Sequence, residues 1–76
     1  MIKWRDGVNV LEMLAGCGFT AYELRKQKIW GEATIQKFRK GGLPTWKELN
    51  LICKITAYDV GELIEFKYNK DEGLLD

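Results

Sequence analysis

Four helix-start signals recur along this chain, each with a capping side chain three residues before a glutamate. They begin at Asn9, Thr20, Thr45 and Asp59, and Asp6 is an equally good cap for the first helix. The capping side chain accepts a hydrogen bond from an amide of the first turn, and the glutamate reaches back to the amide of the cap. So many starts in 76 residues predict one small domain of several short helices joined by brief turns.

Apolar residues recur at helical spacing after each signal. The pattern predicts helices at roughly 6 to 17, 21 to 28 and 32 to 40, a fourth opened by Pro44-Thr45, and a short fifth after Asp59. Glycines at 16 and 18, and at 41 and 42, are expected to end the first and third helices. The expected inward-facing residues of the first three helices are Val8, Leu11, Leu14, Ala15, Ala21, Leu24, Ile35 and Phe38.

The two ends of the chain alternate between apolar and charged residues, which is the period of a β-strand. The alternation covers residues 2 to 4 and 64 to 68. We expect these segments to pair as a small antiparallel ribbon that packs on the helices or on another subunit, because two strands alone are marginally stable. Residues 69 to 76 are polar and acidic apart from Leu74 and Leu75, which predicts a flexible acidic tail.

Charge is distributed unevenly along the chain. Residues 20 to 47 carry seven basic and two acidic side chains, whereas residues 48 to 76 carry three basic and seven acidic ones. The overall net charge of +1 therefore hides a basic middle of +5 and an acidic end of −4. A basic segment that coincides with two predicted helices favours a surface that lies against a polyanion.

The composition argues against several other classes of protein. The chain has no histidine, and Cys17 and Cys53 match no metal-ligand spacing, so neither a metal nor a cofactor is expected. Both cysteines are expected to be buried thiols in a reducing cytoplasm. An enzyme is not expected, because no nucleophile stands beside a base. A membrane helix needs ~18 apolar residues, and the chain has no such run and no secretory signal, which predicts a cytoplasmic protein.

The third predicted helix has an outer face suited to the major groove of DNA. If Ile35 and Phe38 point inward, the outward residues are Glu32, Ala33, Gln36, Lys37 and Lys40. Each base pair presents a distinct pattern of donors and acceptors in the major groove. Gln36 could pair with adenine, Lys37 with guanine and Glu32 with a cytosine amino group. The flanking basic residues would neutralise phosphates without reading sequence.

Several of these features follow one another in a fixed order: Thr20-x-x-Glu23-Leu24, Thr34-Ile35 ten residues after the leucine, Gly41, and Pro44-Thr45 before a fourth helix. This order resembles the helix-turn-helix domain of the Cro and lambda-repressor family, also called the XRE family. The resemblance covers about residues 2 to 68 and is closest to short, single-domain phage-type members with paired terminal strands. It implies an all-α fold over residues 1 to 76, a five-helix lambda-repressor-like bundle with a small antiparallel ribbon.

The resemblance also implies a function and its residues. Family members are sequence-specific DNA-binding transcriptional regulators, and they commonly bind double-stranded DNA as homodimers. No small-molecule effector is evident here, and a repressor that occupies an operator is the leading hypothesis. The recognition helix falls at about 32 to 40, and its base-reading residues are Glu32, Ala33, Thr34, Gln36 and Lys37. By position the phosphate-contacting residues are Thr20, Ala21, Lys40, Thr45 and Lys47, to which side-chain chemistry adds Tyr22 and Arg39.

The chain departs from the family pattern in the turn before the recognition helix. Where the family has a leucine, a glycine and a small apolar residue before a serine or threonine cap, this chain has Lys28, Ile29, Trp30 and Gly31. Gly31 can cap the helix only without a side-chain oxygen, and either Ile29 or Trp30 has to supply the buried group. Trp46, at the start of the fourth helix, either packs over the loop or donates to a phosphate.

A second hypothesis assigns the same bundle to protein binding, as in an antitoxin or a phage accessory protein. The apolar ends of the chain, with Ile2, Trp4, Phe66 and Tyr68, could then offer a strand edge to a partner.

Overall fold

The computed structural model describes residues 1 to 68, which form five helices and one two-stranded sheet. In chain order the elements are β1 (Ile2–Trp4), α1 (Val10–Gly16), α2 (Ala21–Lys26), α3 (Glu32–Arg39), α4 (Trp46–Thr56), α5 (Val60–Leu63) and β2 (Ile64–Phe66). The predicted five-helix bundle with a terminal ribbon is confirmed. The predicted acidic tail, residues 69 to 76, lies outside the described residues.

Three helices, α1, α2 and α4, begin at a side-chain oxygen that accepts from an amide of the first turn, whereas α3 begins at Gly31 without one. Asn9, and not Asp6, caps α1, because its side chain accepts a hydrogen bond from the amide of Glu12 at 3.3 Å. At α4 the exchange is reciprocal: the amide of Glu48 donates to Thr45 Oγ1 at 3.2 Å, and the amide of Thr45 donates to the Glu48 carboxylate at 2.9 Å. The first helix therefore begins three residues later than a cap at Asp6 would have placed it.

The helices α1, α2 and α3 end in the same backbone arrangement. In each, two backbone amides beyond the helix donate hydrogen bonds to carbonyls of its last turns. In α1 and α3 the residue in the left-handed conformation is a glycine, Gly18 with φ 92° and Gly41 with φ 80°. In α2 it is Lys28, with φ 57°, and the next amide, that of Ile29, donates to the carbonyl of Leu24 at 2.9 Å. Because no glycine marks this end, the sequence predicted that α2 would continue to residue 28.

Replacing Lys28 with glycine is expected to raise the free energy of unfolding by about 1 kcal/mol, because a residue with a Cβ is strained in the left-handed region and glycine is not. Thermal or urea unfolding followed by circular dichroism measures the change. Lys28→Ala is the control, since it removes the same charge and keeps the Cβ. Equal stabilisation of both variants would show that the gain comes from the lost charge rather than from the backbone.

The core contains one cluster of buried apolar side chains from all five helices and from the turn before α3: Val10, Leu14, Leu24, Trp30, Ile35, Phe38, Leu49, Ile52 and Leu63. The predicted inward positions of α3, Ile35 and Phe38, are confirmed. Trp30 supplies the buried group of the turn before α3, and its ring centroid lies 4.8 Å from that of Phe38.

Two expectations for the first helix are wrong. Ala15 is exposed and Val10 is buried, because Val10 and Leu14, four residues apart, share the inner face of α1 and Ala15 lies about 100° further round the helix. Cys17 was expected to be buried, yet it is exposed because it lies in the turn that ends α1. Cys53, on α4, is half-buried.

The strands β1 and β2 pair antiparallel, as predicted, with the register Ile2 to Phe66, Lys3 to Glu65 and Trp4 to Ile64. β2 is shorter than the alternating pattern, which extended to residue 68. Trp4 attaches the ribbon to the end of α3, because its indole N–H donates to the carbonyl of Gly42 at 3.0 Å and its ring meets Phe38 edge-on at 6.2 Å.

Candidate nucleic-acid interface

The helix α3 has one face in the core and the other at the surface. Ile35 is completely buried and Phe38 nearly so, which fixes the rotation of the helix about its axis. Among the predicted base-reading residues, the exposed ones are Glu32 and Ala33, and the half-buried ones are Thr34, Gln36 and Lys37. Lys40 is exposed at the end of the helix. The outer face therefore combines small, hydrogen-bonding and cationic side chains.

The carboxylate of Glu32 joins α2 to α3. Its Oε2 accepts a hydrogen bond from the guanidinium of Arg25 at 2.6 Å, and its Oε1 accepts one from the amide of Gln36 at 2.9 Å. These hydrogen bonds, from Gln36 first and then from Arg25, hold the pKa of Glu32 below its ordinary value. The carboxylate is therefore ionised at neutral pH, and Arg25 offsets its charge.

On the opposite flank of α3, Lys37 lies against α4. Its ammonium is 2.5 Å from the Glu48 carboxylate oxygen that also accepts the amide of Thr45. Burial alone would raise the pKa of Glu48, but the hydrogen bonds from Lys37 and Thr45 outweigh it and the pKa is lowered. A Cβ at Gly42 would lie 2.5 Å from the Lys37 side chain, so glycine allows the turn to pass close beside it.

A surface depression of about 460 Å³ runs between the start of α3 and α4. Three of the predicted residues, Thr34, Thr45 and Lys47, line it together. Asn50 and Lys54 also line it, and the sequence analysis missed both as candidates. The signal that could have found them is spacing, because positions 47, 50 and 54 follow the i, i+3, i+7 pattern of one helix face.

The remaining predicted phosphate contacts lie outside this depression. Thr20 Oγ1 caps α2 by accepting from the amide of Glu23 at 3.2 Å, and the neighbouring Ala21 is half-buried. Tyr22 is 63% exposed, and the ammonium of Lys26 lies over its ring at 5.7 Å. Arg39 and Lys40 are exposed at the far end of α3. Thr34, Thr45 and Lys47 thus share the depression, while the other predicted phosphate contacts lie at the start of α2 and at the far end of α3.

Residues 9–69 match the family model of the Cro/C1-type HTH DNA-binding domain. The chain belongs to the Cro/C1-type HTH DNA-binding domain family. This confirms the resemblance drawn from the order of caps, glycines and helices, and it makes the chain a DNA-binding regulator in general terms. No curated protein and no solved structure matches the chain.

Within residues 1 to 68, histidine, cysteine, aspartate and glutamate side chains form no group of three or more that could hold a metal ion. The helices in this part of the chain are all too short or too polar to cross a membrane.

Proposed function

We propose that this Cro/C1-type protein is a sequence-specific transcriptional regulator that reads the major groove of DNA with α3. The observation that carries the proposal is the anchoring of α3 by Ile35 and Phe38, which leaves its polar and cationic face outward within the basic segment. A helix of this width enters the major groove, where donors and acceptors of each base pair differ. Ala33, Thr34, Gln36 and Lys37 remain the proposed base-reading residues, whereas both carboxylate oxygens of Glu32 already accept hydrogen bonds from Arg25 and Gln36.

Phosphate contacts are proposed on both sides of α3. Arg39, Lys40 and Lys47 supply exposed cations on the side of the turn that leads into α4, where Thr45 caps that helix. Thr20, Ala21 and Tyr22 form the proposed contacts at the start of α2. Cations that neutralise phosphates give affinity and orientation, whereas the base edges give specificity.

We further propose that two copies bind a two-fold operator in the cytoplasm and repress transcription by occupying it. Support comes from an apolar groove of about 730 Å³ beside the ribbon, bordered by Ile2, Trp46 and Phe66, which are 57%, 85% and 66% exposed. A second copy would remove these side chains from water. Because 85% of Trp46 is exposed, its ring does not pack over the loop. Sedimentation equilibrium measures the molecular mass in solution and so tests the dimer. A strictly monomeric mass would contradict this proposal.

Selection from a random pool of DNA duplexes tests the proposed reading of sequence. We expect one enriched motif with two-fold symmetry and half-sites about one turn of DNA apart. The affinity for that motif should fall with salt, with a logarithmic slope of about 0.9 per phosphate neutralised. A pool that is not enriched for any sequence, or binding that ignores salt, would contradict the proposal.

The exposed apolar groove also favours a second candidate function, the binding of a protein partner. Here the groove, rather than α3, would be the interface, and a partner strand could extend the ribbon. Replacing Trp46 and Phe66 with serine would then abolish the biological effect and leave DNA binding intact. If DNA is the ligand, replacing the exposed Lys40 would weaken both DNA binding and the biological effect.

A further inference from the structure

The hydrogen bonds around Glu32 fix the orientation of a neighbouring side chain. Both of its carboxylate oxygens are occupied, one by Arg25 of α2 and the other by Gln36, one helical turn further along α3. An ionised carboxylate can only accept hydrogen bonds, so the nitrogen of the Gln36 amide, and not its oxygen, has to face Glu32. The amide of Gln36 is therefore held in one of its two flipped states.

In this orientation the Gln36 amide leaves one acceptor and one donor for a ligand. One N–H of the Gln36 amide is bonded to Glu32, so the amide oxygen and the second N–H remain available on the outer flank of α3. An acceptor next to a donor matches the N6 amino group and the N7 of adenine in the major groove. A free amide would flip and present the two groups in the reverse order.

We propose that Arg25 and Glu32 are positioning residues that set the base preference of Gln36, and that Glu32 does not itself read a base. This inference rests on the proposed function, and it gives Arg25, which lies outside the recognition helix, a part in specificity. Arg25 also offsets the carboxylate charge, which would otherwise be repelled by the phosphates on either side of the groove.

Selection from a random duplex pool tests the inference when wild type is compared with Gln36→Ala, Glu32→Gln and Arg25→Ala. We expect all three variants to lose the preference for adenine at the same base pair of each half-site, by about tenfold or more, with the other positions unchanged. Lys26→Ala is the matched control, because it removes a neighbouring positive charge that has no hydrogen bond to Glu32 in the described residues. It should weaken all sequences alike.

Three results would overturn the inference. Glu32→Gln could leave base preference unchanged, or change it at a base pair other than the one affected by Gln36→Ala. Arg25→Ala could behave like Lys26→Ala, which would make Arg25 a phosphate contact. Failure of the proposed function is recognised separately, because the wild-type protein itself would then enrich no sequence. Urea unfolding curves are needed to check that each variant folds, which we expect because Arg25 and Glu32 are exposed, Gln36 is only half-buried, and a surface ion pair contributes little to stability.

Discussion

Replacing Ile35 with alanine is expected to unfold most of the protein at physiological temperature. Ile35 is completely buried in the centre of the core, and truncation of such a side chain costs about 2–5 kcal/mol. A single core in a domain of this size rarely supplies more than ~3–5 kcal/mol, so the loss is comparable with the whole stability. Urea unfolding followed by circular dichroism measures it, and DNA binding should be lost in parallel.

Two variants control for this result. Ile35→Val removes one methylene group at the same site and should cost only about 0.5–1.5 kcal/mol. Leu43→Ala truncates a side chain that is 43% exposed, so little transfer free energy is lost. If Ile35→Ala were no more harmful than Leu43→Ala, α3 would not be anchored through Ile35, and its proposed outer face would be wrong.

Much of the fold could be predicted because its determinants are local. A helix start is favoured by a side-chain oxygen that accepts from an amide three residues later, and Asn9, Thr20 and Thr45 each supply one. The end of α2 was predicted wrongly because the left-handed position there is occupied by Lys28, whose preference for that conformation is weak. The turn after α2 is instead stabilised by packing, because Trp30 is buried in the core. No local sequence motif indicates this packing.

The candidate site was less predictable than the fold because its hydrogen bonds join different helices. From sequence alone, Glu32 and Lys37 both point away from the core, and both were assigned to bases. The structure brings each of them to a partner on a neighbouring helix, Arg25 in one case and Glu48 in the other. Such pairs depend on how the helices cross, so a charge pattern identifies the basic surface without identifying which charges are already neutralised.

Replacing Lys40 and Lys47 together with alanine is expected to weaken DNA binding on the order of 100-fold at low salt, since each lost phosphate contact removes its share of counterion release. Both side chains are exposed, at the end of α3 and in the first turn of α4. The loss should be nearly the same for every sequence, because phosphates carry no base information. Titrations of the selected site over a range of salt concentrations measure it, and the logarithmic slope should fall by about 1.8.

The control removes the same charge from the acidic part of the chain, by replacing Lys67 and Lys70 with alanine. If the basic segment faces DNA, this variant should keep most of the affinity and nearly the whole salt slope, because only charges close to phosphates displace condensed counterions. Equal losses in the two double variants would mean that net charge alone drives binding. The turn between α3 and α4 would then have no special contact with DNA, and the proposed placement of α3 in the groove would fail with it.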